Sequence, residues 1–364
     1  MAVNNWRFWT ALGVSVLLLL LLLYQVGVGN IGRALQDANY VYVAPAIGLY
    51  FVAVYFRALR WRYLLSPLAV LPVARLYPVI VVGYMANNLL PARLGELVRS
   101  YYLARRERLS TSSTLATVAV ERVYDGVTLL AFAALAAPVL LLLGRFAVTS
   151  DTTRAAWLIV ASVTVALFFG ALLFLTSLVA VPRFVDFVQG CTRIVPGRFR
   201  EKAQNLVSAF VQGLSILNSP RQHLMLLVLS VPVWLMEGAT YLLIGYSFGL
   251  DEIFGSVWTL ILAVLLVTAT SNLATSLPAS IGGIGPFEVV AQQTLLALGV
   301  AAPVGAAYAG VVHLVALWLP VTIAGLILAW KQNLSLRSLA KSPEPSEAEP
   351  ATGYAGGLAN EDLT

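Results

Sequence analysis

The stretch WTALGVSVLLLLLLLYQVGV, from Trp9 to Val28, contains no charged residue and decides the fold. A helix needs about 20 apolar residues to cross the hydrocarbon core of a bilayer. A second run of this kind extends from Trp157 to Val181. Both runs are continuous, whereas the strands of an outer-membrane barrel alternate apolar and polar residues. The sequence therefore predicts an all-α, polytopic membrane protein.

The composition of the whole chain agrees with this prediction. Of its 364 residues 59% are hydrophobic and 11% are charged, and the mean hydropathy is +0.84. These values exclude a soluble globular protein. The first apolar run follows Arg7 and could be taken for a signal peptide, but it is too long and lacks an A-x-A cleavage site. We interpret it as an uncleaved first helix.

The residues that usually carry catalysis are scarce. Cys191 is the single cysteine, which excludes a disulfide framework and makes a cysteine metal site improbable. The two histidines, His223 and His313, stand far apart in the sequence. The chain has no Ser-His-Asp set, no metal-spaced carboxylate pair and no nucleotide-binding loop. We expect no soluble catalytic domain, no metal site and no cofactor.

Hydropathy predicts about six full spans, at residues 9–29, 41–61, 112–144, 157–181, 223–249 and 305–330. Two further hydrophobic regions do not fit this pattern. Residues 76–91 are too short to cross, and residues 254–300 are interrupted by LPASIGGIGP. We interpret both as re-entrant, broken helical hairpins. The second could equally be two crossings, since the two arrangements leave the C-terminus on the same side.

Charge fixes the expected orientation. Nearly all of the 23 basic residues fall at Arg7, from Arg57 to Arg108, from Arg183 to Arg221, and from Lys331 to Lys341. The positive-inside rule places these segments in the cytoplasm. We therefore expect a multi-pass protein of the cytoplasmic (inner) membrane with both termini cytoplasmic.

These signals divide the chain into a membrane domain, residues 1–332, and a tail, residues 333–364. The tail is rich in Pro, Glu, Ala and Gly and is predicted to be disordered. Within the membrane domain, residues 182–221 are basic and carry apolar residues at helical spacing. This segment is either a helix on the cytoplasmic membrane surface or a loop helix packed on the bundle.

The two interrupted regions resemble each other. Asn88-Leu89, Leu90-Pro91-Ala92, Gly95 and Glu96 recur, in a longer form, as Asn272-Leu273, Leu277-Pro278-Ala279, Gly283 and Glu288. The copies occupy corresponding positions in halves of about 1–145 and 157–332. This pattern is typical of inverted repeats whose discontinuous helices form a binding site. A pair of ordinary Pro/Gly loops is the alternative.

The breaks have a chemical consequence. Proline removes a backbone donor and glycine permits unusual dihedral angles, so peptide groups lose helical partners at membrane depth. Such groups must line a protein-enclosed or wet cavity, where helix N-termini can hold an anion.

Several charges lie within or beside the apolar segments. Arg57, Arg60 and Arg62 close the second span and are either interfacial anchors or a phosphate clamp. Arg93, Glu96 and Arg99 follow the first break at three-residue spacing and would share one face of a restarting helix.

The remaining charges lie deeper. Arg122 lies between Glu121 and Asp125, which are one turn apart, so it could pair with either in a structural or a functional network. Glu237 and Glu288 are lone carboxylates in apolar surroundings. Each is costly unless paired, and each could carry a proton or meet a cationic headgroup.

Four motifs in order resemble the flippase-like transmembrane region of the lysylphosphatidylglycerol synthases, over about residues 5–332. They are Arg57-x-x-Arg60-Trp61, Asn88-x-x-Pro91-x-Arg93-x-Gly95-Glu96-x-x-Arg99, Glu121-Arg122-x-x-Asp125 and Pro278-x-Ser280-x-Gly282-Gly283-x-Gly285-x-x-Glu288. The resemblance implies that these residues line a central cavity. Glu237 and Asn272 join the set as the lone carboxylate and the repeated asparagine noted above.

The resemblance also implies a lipid translocase that moves a phospholipid or another lipid-linked polar headgroup, with an anionic phosphate as the group recognised. The bifunctional synthases carry a soluble aminoacyltransferase domain that this sequence lacks, so we do not expect synthesis of lysyl-lipid. Two alternatives stay open: a membrane-embedded transferase acting on polyprenyl phosphates, and a non-catalytic partner of a separate lipid-modifying or glycan-assembly enzyme. Families with this architecture are often homodimeric, and no contact with nucleic acid is expected.

Overall fold

The computed structural model describes residues 6–90, 93–146, 151–180, 190, 197–276 and 280–332. Within these ranges the regular structure is helical, without strands. The helices are α1 (Trp6–Val26), α2 (Val28–Gln36), α3 (Val43–Leu65), α4 (Val73–Leu89), α5 (Gly95–Glu107), α6 (Thr111–Leu142), α7 (Asp151–Ala180), α8 (Gly197–Gly213), α9 (Pro220–Ser247), α10 (Leu250–Phe254), α11 (Val257–Ala274), α12 (Pro286–Ala297) and α13 (Ala302–Lys331). The predicted disordered tail lies outside the described residues.

The prediction of a polytopic helical membrane protein is confirmed. Six helices of the described part are long and apolar enough to cross a bilayer: α1, α3 with the helical turn before it, α6, α9, α11 and α13. Five of them coincide with predicted spans. The sixth, α11, is the first arm of the broken region 254–300. The predicted span 157–181 falls on α7, which is 30 residues long.

Local signals set several helix boundaries. Ser110 and Ser219 cap α6 and α9, each accepting a hydrogen bond at its Oγ from the backbone N–H three residues later. Pro220 occupies the first position of α9, where a missing N–H costs nothing. The predicted span 9–29 ends early, because α1 stops at Val26 and Gly27 adopts a φ of 85° before α2 begins.

Helix α3 packs antiparallel against α9 at the centre of the bundle. Thr240 Oγ1 donates to Ala46 O at 3.2 Å, Arg57 pairs with Glu237, and Arg60 Nη1 donates to Ser230 Oγ at 2.8 Å. The partners descend along α9 as the chain ascends α3. Polar and charged groups thus join these two helices in the interior.

The interrupted regions each form a pair of packed helices. Helix α4 packs on α5, and α11 packs on α12. Each first arm also packs against a long helix of the other half of the chain, α4 against α13 and α11 against α6. The breaks are consequently held between the two halves.

Helix α8 lies within the predicted segment 182–221 and packs against the start of α6. Ser112 and Ser113 donate from their hydroxyls to Leu206 O at 2.8 Å and to Ala209 O at 2.6 Å. Leu214 and Leu217, which follow α8, are buried. Of the two interpretations of this segment, the structure therefore supports a helix packed on the bundle. Residues 181–189 and 191–196 lie outside the described part.

Gly95, at the start of α5, gives the first test of this packing. A Cβ there would overlap the backbone of α4 at Gly83 and Asn87. We expect Gly95→Ala to lower the thermal unfolding midpoint and the yield of monodisperse protein in detergent. The added Cβ would force the backbones of α4 and α5 apart, because neither helix can shift locally. Gly48→Ala is the control, since its Cβ would meet no atom within 4 Å and Ala favours a helix over Gly by about 1 kcal/mol. Equal behaviour of the two variants would contradict this account.

Candidate functional site

A cavity of about 560 Å³ lies inside the bundle, between α3 to α7 on one side and α9 and α11 to α13 on the other. Its charged lining comprises Arg57, Arg93, Glu96, Arg122, Asp125 and Glu237. Uncharged polar groups, among them Asn87, Asn88, Asn272 and Ser280, line it as well. Its volume is in the range of small-molecule sites.

Arg57 and Arg60 extend from α3 into the interior and are 4% and 0% exposed. Arg57 pairs with Glu237 and lies 3.8 Å from Asp125 Oδ2. Arg60 Nη1 contacts Asp125 Oδ1 at 2.7 Å. The interpretation of these two arginines as interfacial anchors is wrong, because an anchor extends to the surface. Only their exposed neighbour Arg62 fits that description.

Helix α6 provides the centre of the charge network. Arg122 contacts both acids next to it, Glu121 at 2.6 Å and Asp125 at 3.3 Å. Glu121 is fully buried and also meets Arg99 of α5 at 3.0 Å and Arg60 of α3 at 3.6 Å. One carboxylate thus faces three guanidinium groups.

The start of α5 brings in the remaining charges. Glu96 Oε1 lies 3.4 Å from Arg122 Nε and 3.9 Å from Arg93 Nε. Arg93 precedes the helix with a φ of 55°, a region that non-glycine residues seldom adopt. This conformation places the Arg93 side chain, which is 31% exposed, at the cavity.

These ion-paired residues form one connected set, which we call the charge network. It contains more arginines than carboxylates. Its members are five arginines and four carboxylates, joined by ion pairs: Arg57, Arg60, Arg93, Arg99, Arg122, Glu96, Glu121, Asp125 and Glu237. Several buried guanidinium nitrogens lack a hydrogen-bond acceptor in the described structure, including Arg57 Nε and Arg99 Nη1. Buried donors of this kind normally have partners. The network therefore has one more cationic than anionic group, and some of its buried guanidinium nitrogens and carboxylate oxygens lack a hydrogen-bond partner among the described residues.

Aromatic rings hold the buried guanidinium groups. Arg57 Cζ lies 4.7 Å from the ring centre of Trp234 and 5.7 Å from that of Tyr84. Arg99 Cζ lies 5.0 Å from Trp61. Trp234 also donates from Nε1 to Asp125 Oδ1 at 3.0 Å. Such contacts stabilise desolvated cations and fix their orientation.

The two interrupted regions meet at the cavity. A Cβ at Gly282 would lie 3.1 Å from Asn88 O and 2.6 Å from Trp318 Nε1. Asn88 Nδ2 donates to Thr322 Oγ1 at 2.8 Å and to Trp318 O at 3.1 Å. Trp318 Nε1 is buried, lines the cavity and has no acceptor among the described residues. The close approach of Gly282 to Asn88 explains why residue 282 is a glycine, since a side chain there would separate the two breaks.

The glycines of the second break have positive φ values: 58° at Gly282, 80° at Gly283 and 99° at Gly285. Gly285 lies against α1, where a Cβ would be 3.2 Å from Ser15 O. Ser15 Oγ accepts a hydrogen bond from the N–H of Ile281 at 3.2 Å. Helix α1 thus supports the second break from outside the cavity.

Glu288 is paired, contrary to its isolation in the sequence. Its Oε2 accepts from Gly285 N at 2.7 Å, which closes the start of α12, and its Oε1 lies 2.6 Å from His313 Nδ1. His313 belongs to a π-helical stretch of α13, Val311–Trp318. Sequence reasoning missed it, although one histidine and one carboxylate in neighbouring apolar helices are a recognisable signal.

The comparisons with known proteins agree with this picture. The family model described as lysylphosphatidylglycerol synthase TM region matches residues 8–324. The chain belongs to this family. A UPF0104 membrane protein of Methanothermobacter thermautotrophicus is 28% identical over 84% of this chain and 90% of its own length. One from Pyrococcus horikoshii is 24% identical over 89% and 97%.

A further relative of this chain is longer. Glycosyltransferase AglD of Haloferax volcanii is 28% identical over 82% of this chain, and the match spans 50% of that protein. No solved structure matches.

The structure assembles most of the predicted site residues around the cavity of this family member. Arg60, Arg99 and Glu121 lie behind the lining within the charge network, and Gly95 packs the first break. Asn272 lines the cavity and donates to Tyr241 Oη at 2.7 Å. Pro91 and Pro278 lie outside the described residues. The role of the set in function stays a prediction.

The pairing of Arg57 with Glu237 can be tested through stability. Glu237→Leu leaves Arg57 buried without its closest acid, which typically costs about 3 to 5 kcal/mol. The double variant Arg57→Leu with Glu237→Leu should recover part of this loss, because no unpaired charge is left between the two helices. Thermal unfolding followed by tryptophan fluorescence would measure both. Glu252→Leu, at an exposed site of α10, is the control and should not shift the midpoint.

Proposed function

We propose that this protein is a lipid translocase of the cytoplasmic membrane, which moves a lipid with an anionic phosphate headgroup between leaflets through the central cavity. The observation that carries the proposal is the cavity itself, which joins three arginines, backed by the buried arginines of the charge network, to an apolar wall within a membrane bundle. A translocase needs both, because its substrate has a charged end and a hydrocarbon end.

The charged end of the cavity suits a phosphate. Guanidinium groups bind phosphate oxygens with paired, charge-assisted hydrogen bonds. Arg93 and Arg122 line the cavity and are 31% and 21% exposed at their side chains. Both have room to bind a ligand, whereas Arg60 and Arg99 are enclosed by protein. We assign headgroup contact to Arg93 and Arg122, supported by the buried arginines behind them.

The apolar end suits a lipid chain. Leu97 of α5, Leu115 and Leu129 of α6, and Leu167 and Phe168 of α7 line this part of the cavity. Leu97 and Leu167 are also 41% and 57% exposed. Residues that face both the cavity and the exterior mark a lateral opening, here between α5 and α7. A hydrocarbon chain could stay in the bilayer there while the headgroup occupies the interior.

Alternating access would follow from two related halves. If α3 to α6 are exchanged with α9 and α11 to α13, each packing pair maps onto another that is present: α4 with α13 onto α11 with α6, and α4 with α5 onto α11 with α12. The pair of α3 and α9 maps onto itself. This correspondence supports the inverted repeat, and rocking of one half against the other would open the site to each side in turn.

Surface charge supports the cytoplasmic placement of one end of the bundle. Exposed basic residues gather there, at the end of α3, the starts of α4 and α9 and the end of α5: Arg62, Arg75, Arg105, Arg106 and Arg221. Arg75 and Glu107, 3.3 Å apart, join two of these helix ends. By the positive-inside rule this end faces the cytoplasm.

A transferase is the second candidate, because one relative bears the name of a glycosyltransferase. Catalysis by Glu96 or Asp125 would need a carboxylate free to act as a base. Both instead contact Arg122, at 3.4 Å and 3.3 Å. The geometry therefore favours binding and transport over group transfer.

Arg93 allows a sharply controlled test. Arg93→Asn removes the charge but keeps a residue that tolerates positive φ. We expect it to lower the initial rate of translocation of a fluorescent anionic lipid in liposomes by about tenfold or more, as loss of one charge-assisted contact implies. The assay follows the exposure of inner-leaflet label to an impermeant quencher.

Arg108→Asn is the matched control. Arg93 and Arg108 are the two non-glycine residues with positive φ in the described ranges, at 55° and 56°. Arg108 ends α5, is exposed and does not line the cavity. We expect its variant to translocate at the wild-type rate. Equal rates for both variants, or no translocation by the wild type of any anionic phospholipid or polyprenyl phosphate, would refute the proposal.

A further inference from the structure

Among the described residues, the buried pair of Glu288 and His313 makes no ion pair with the charge network. Glu288 is 2% exposed and His313 is 7% exposed. His313 lines the cavity, and its ring stacks on Phe287 with centroids 4.2 Å apart. Nδ1 of the imidazole faces Glu288, while Nε2 has no hydrogen-bond partner within the described structure. One ring nitrogen of a side chain that lines the cavity is therefore left without a hydrogen-bond partner among the described residues.

A structural role explains only part of this arrangement. Glu288 closes the start of α12 through Gly285 N without help from a histidine. His313 lies in a π-helical stretch, a strained form of helix that is frequent at functional sites. Imidazole is also the side chain that changes charge near neutral pH.

We propose that Glu288 and His313 form a proton-binding site that couples lipid movement to proton uptake. The inference rests on the proposed function. With a neutral imidazole, Nδ1–H donates to the carboxylate and the pair carries one negative charge. A proton taken up from the aqueous phase binds Nε2, forms an imidazolium–carboxylate ion pair and brings the charge of the pair to zero.

The charge of the Glu288–His313 pair depends on whether the proton is bound, because the neighbouring charged groups have other partners. Tyr50, Arg57, Tyr84 and Glu237 line the cavity together with His313. Tyr241 of α9 contacts Phe287, with ring centroids 6.0 Å apart, and accepts at its backbone oxygen from Tyr308 of α13. Glu237 is held by Arg57, and the described residues place no Arg or Lys in an ion pair with Glu288. Helices α1 and α11 face this break with uncharged residues such as Ser15 and Thr275.

The charge balance gives the coupling its direction. The charge network has one surplus positive charge, and the unprotonated pair cancels it. Proton uptake therefore turns a neutral site into one with a single positive charge, which matches a phosphodiester anion. By linkage, the anion strengthens proton binding by the same factor by which the proton strengthens anion binding.

The two histidines of the chain provide a matched test. Gln in place of His313 can still donate to Glu288 but cannot titrate. His223 pairs with Tyr124 and does not line the cavity, so His223→Gln is the control. In the liposome assay, wild type and His223→Gln should change their rate on an anionic lipid by about fivefold or more between about pH 5 and 8. His313→Gln should show a flat profile.

A second measurement does not depend on transport. Short-chain phosphatidylglycerol is added to the purified full chain in weakly buffered detergent solution with a pH-sensitive dye. Wild type and His223→Gln should take up about one proton per bound lipid, and His313→Gln none. Uptake without translocation would refute the translocase and keep the proton site. Translocation at a pH-independent rate, or binding without uptake by the wild type, would overturn the inference and leave the translocase standing.

Discussion

The structure depends on a single electrostatic constraint: charges buried in a membrane bundle must be paired. Moving an ion from water into a medium of low dielectric constant costs several kcal/mol even after relaxation. Arg57 and Arg60 therefore need acids on other helices, and they find them on α6 and α9. Ion pairs that are costly in isolation thus fix how α3, α6 and α9 register against one another, and the cavity forms beside them.

The membrane fold was predictable because apolar runs of bilayer length have few other structures available to them. The site was predictable only in part. Arg57 and Arg60 have the sequence pattern of anchors, and their burial depends on Asp125 and Glu237, which are distant in the chain. His313 escaped notice for the same reason, since its partner Glu288 lies on another helix. Pairings between helices depend on packing angles that residue spacing does not encode.

The breaks illustrate how local chemistry and tertiary structure combine. Glycine at residue 282 permits a φ of 58°, and the absence of a side chain also allows the close approach to Asn88 O. Asn88 in turn uses its amide to bind α13 at Thr322 and Trp318. Each break is therefore held by the other half of the chain. A change at either break would therefore be felt by both halves of the chain.

The requirement for charge neutrality links the charge network to the Glu288–His313 pair. In the proposed mechanism, the charge network with its one surplus arginine and an unprotonated Glu288–His313 pair together carry no net charge. The proposed loaded state, with a proton on His313 and a phosphodiester anion at the arginines, would carry none either. A protein that carries only one of these ligands would have to stabilise a net charge within the bilayer, at an electrostatic cost that rises as the dielectric constant falls. Joint binding avoids that cost in both end states, so the low dielectric constant of the membrane itself favours movement of proton and lipid together.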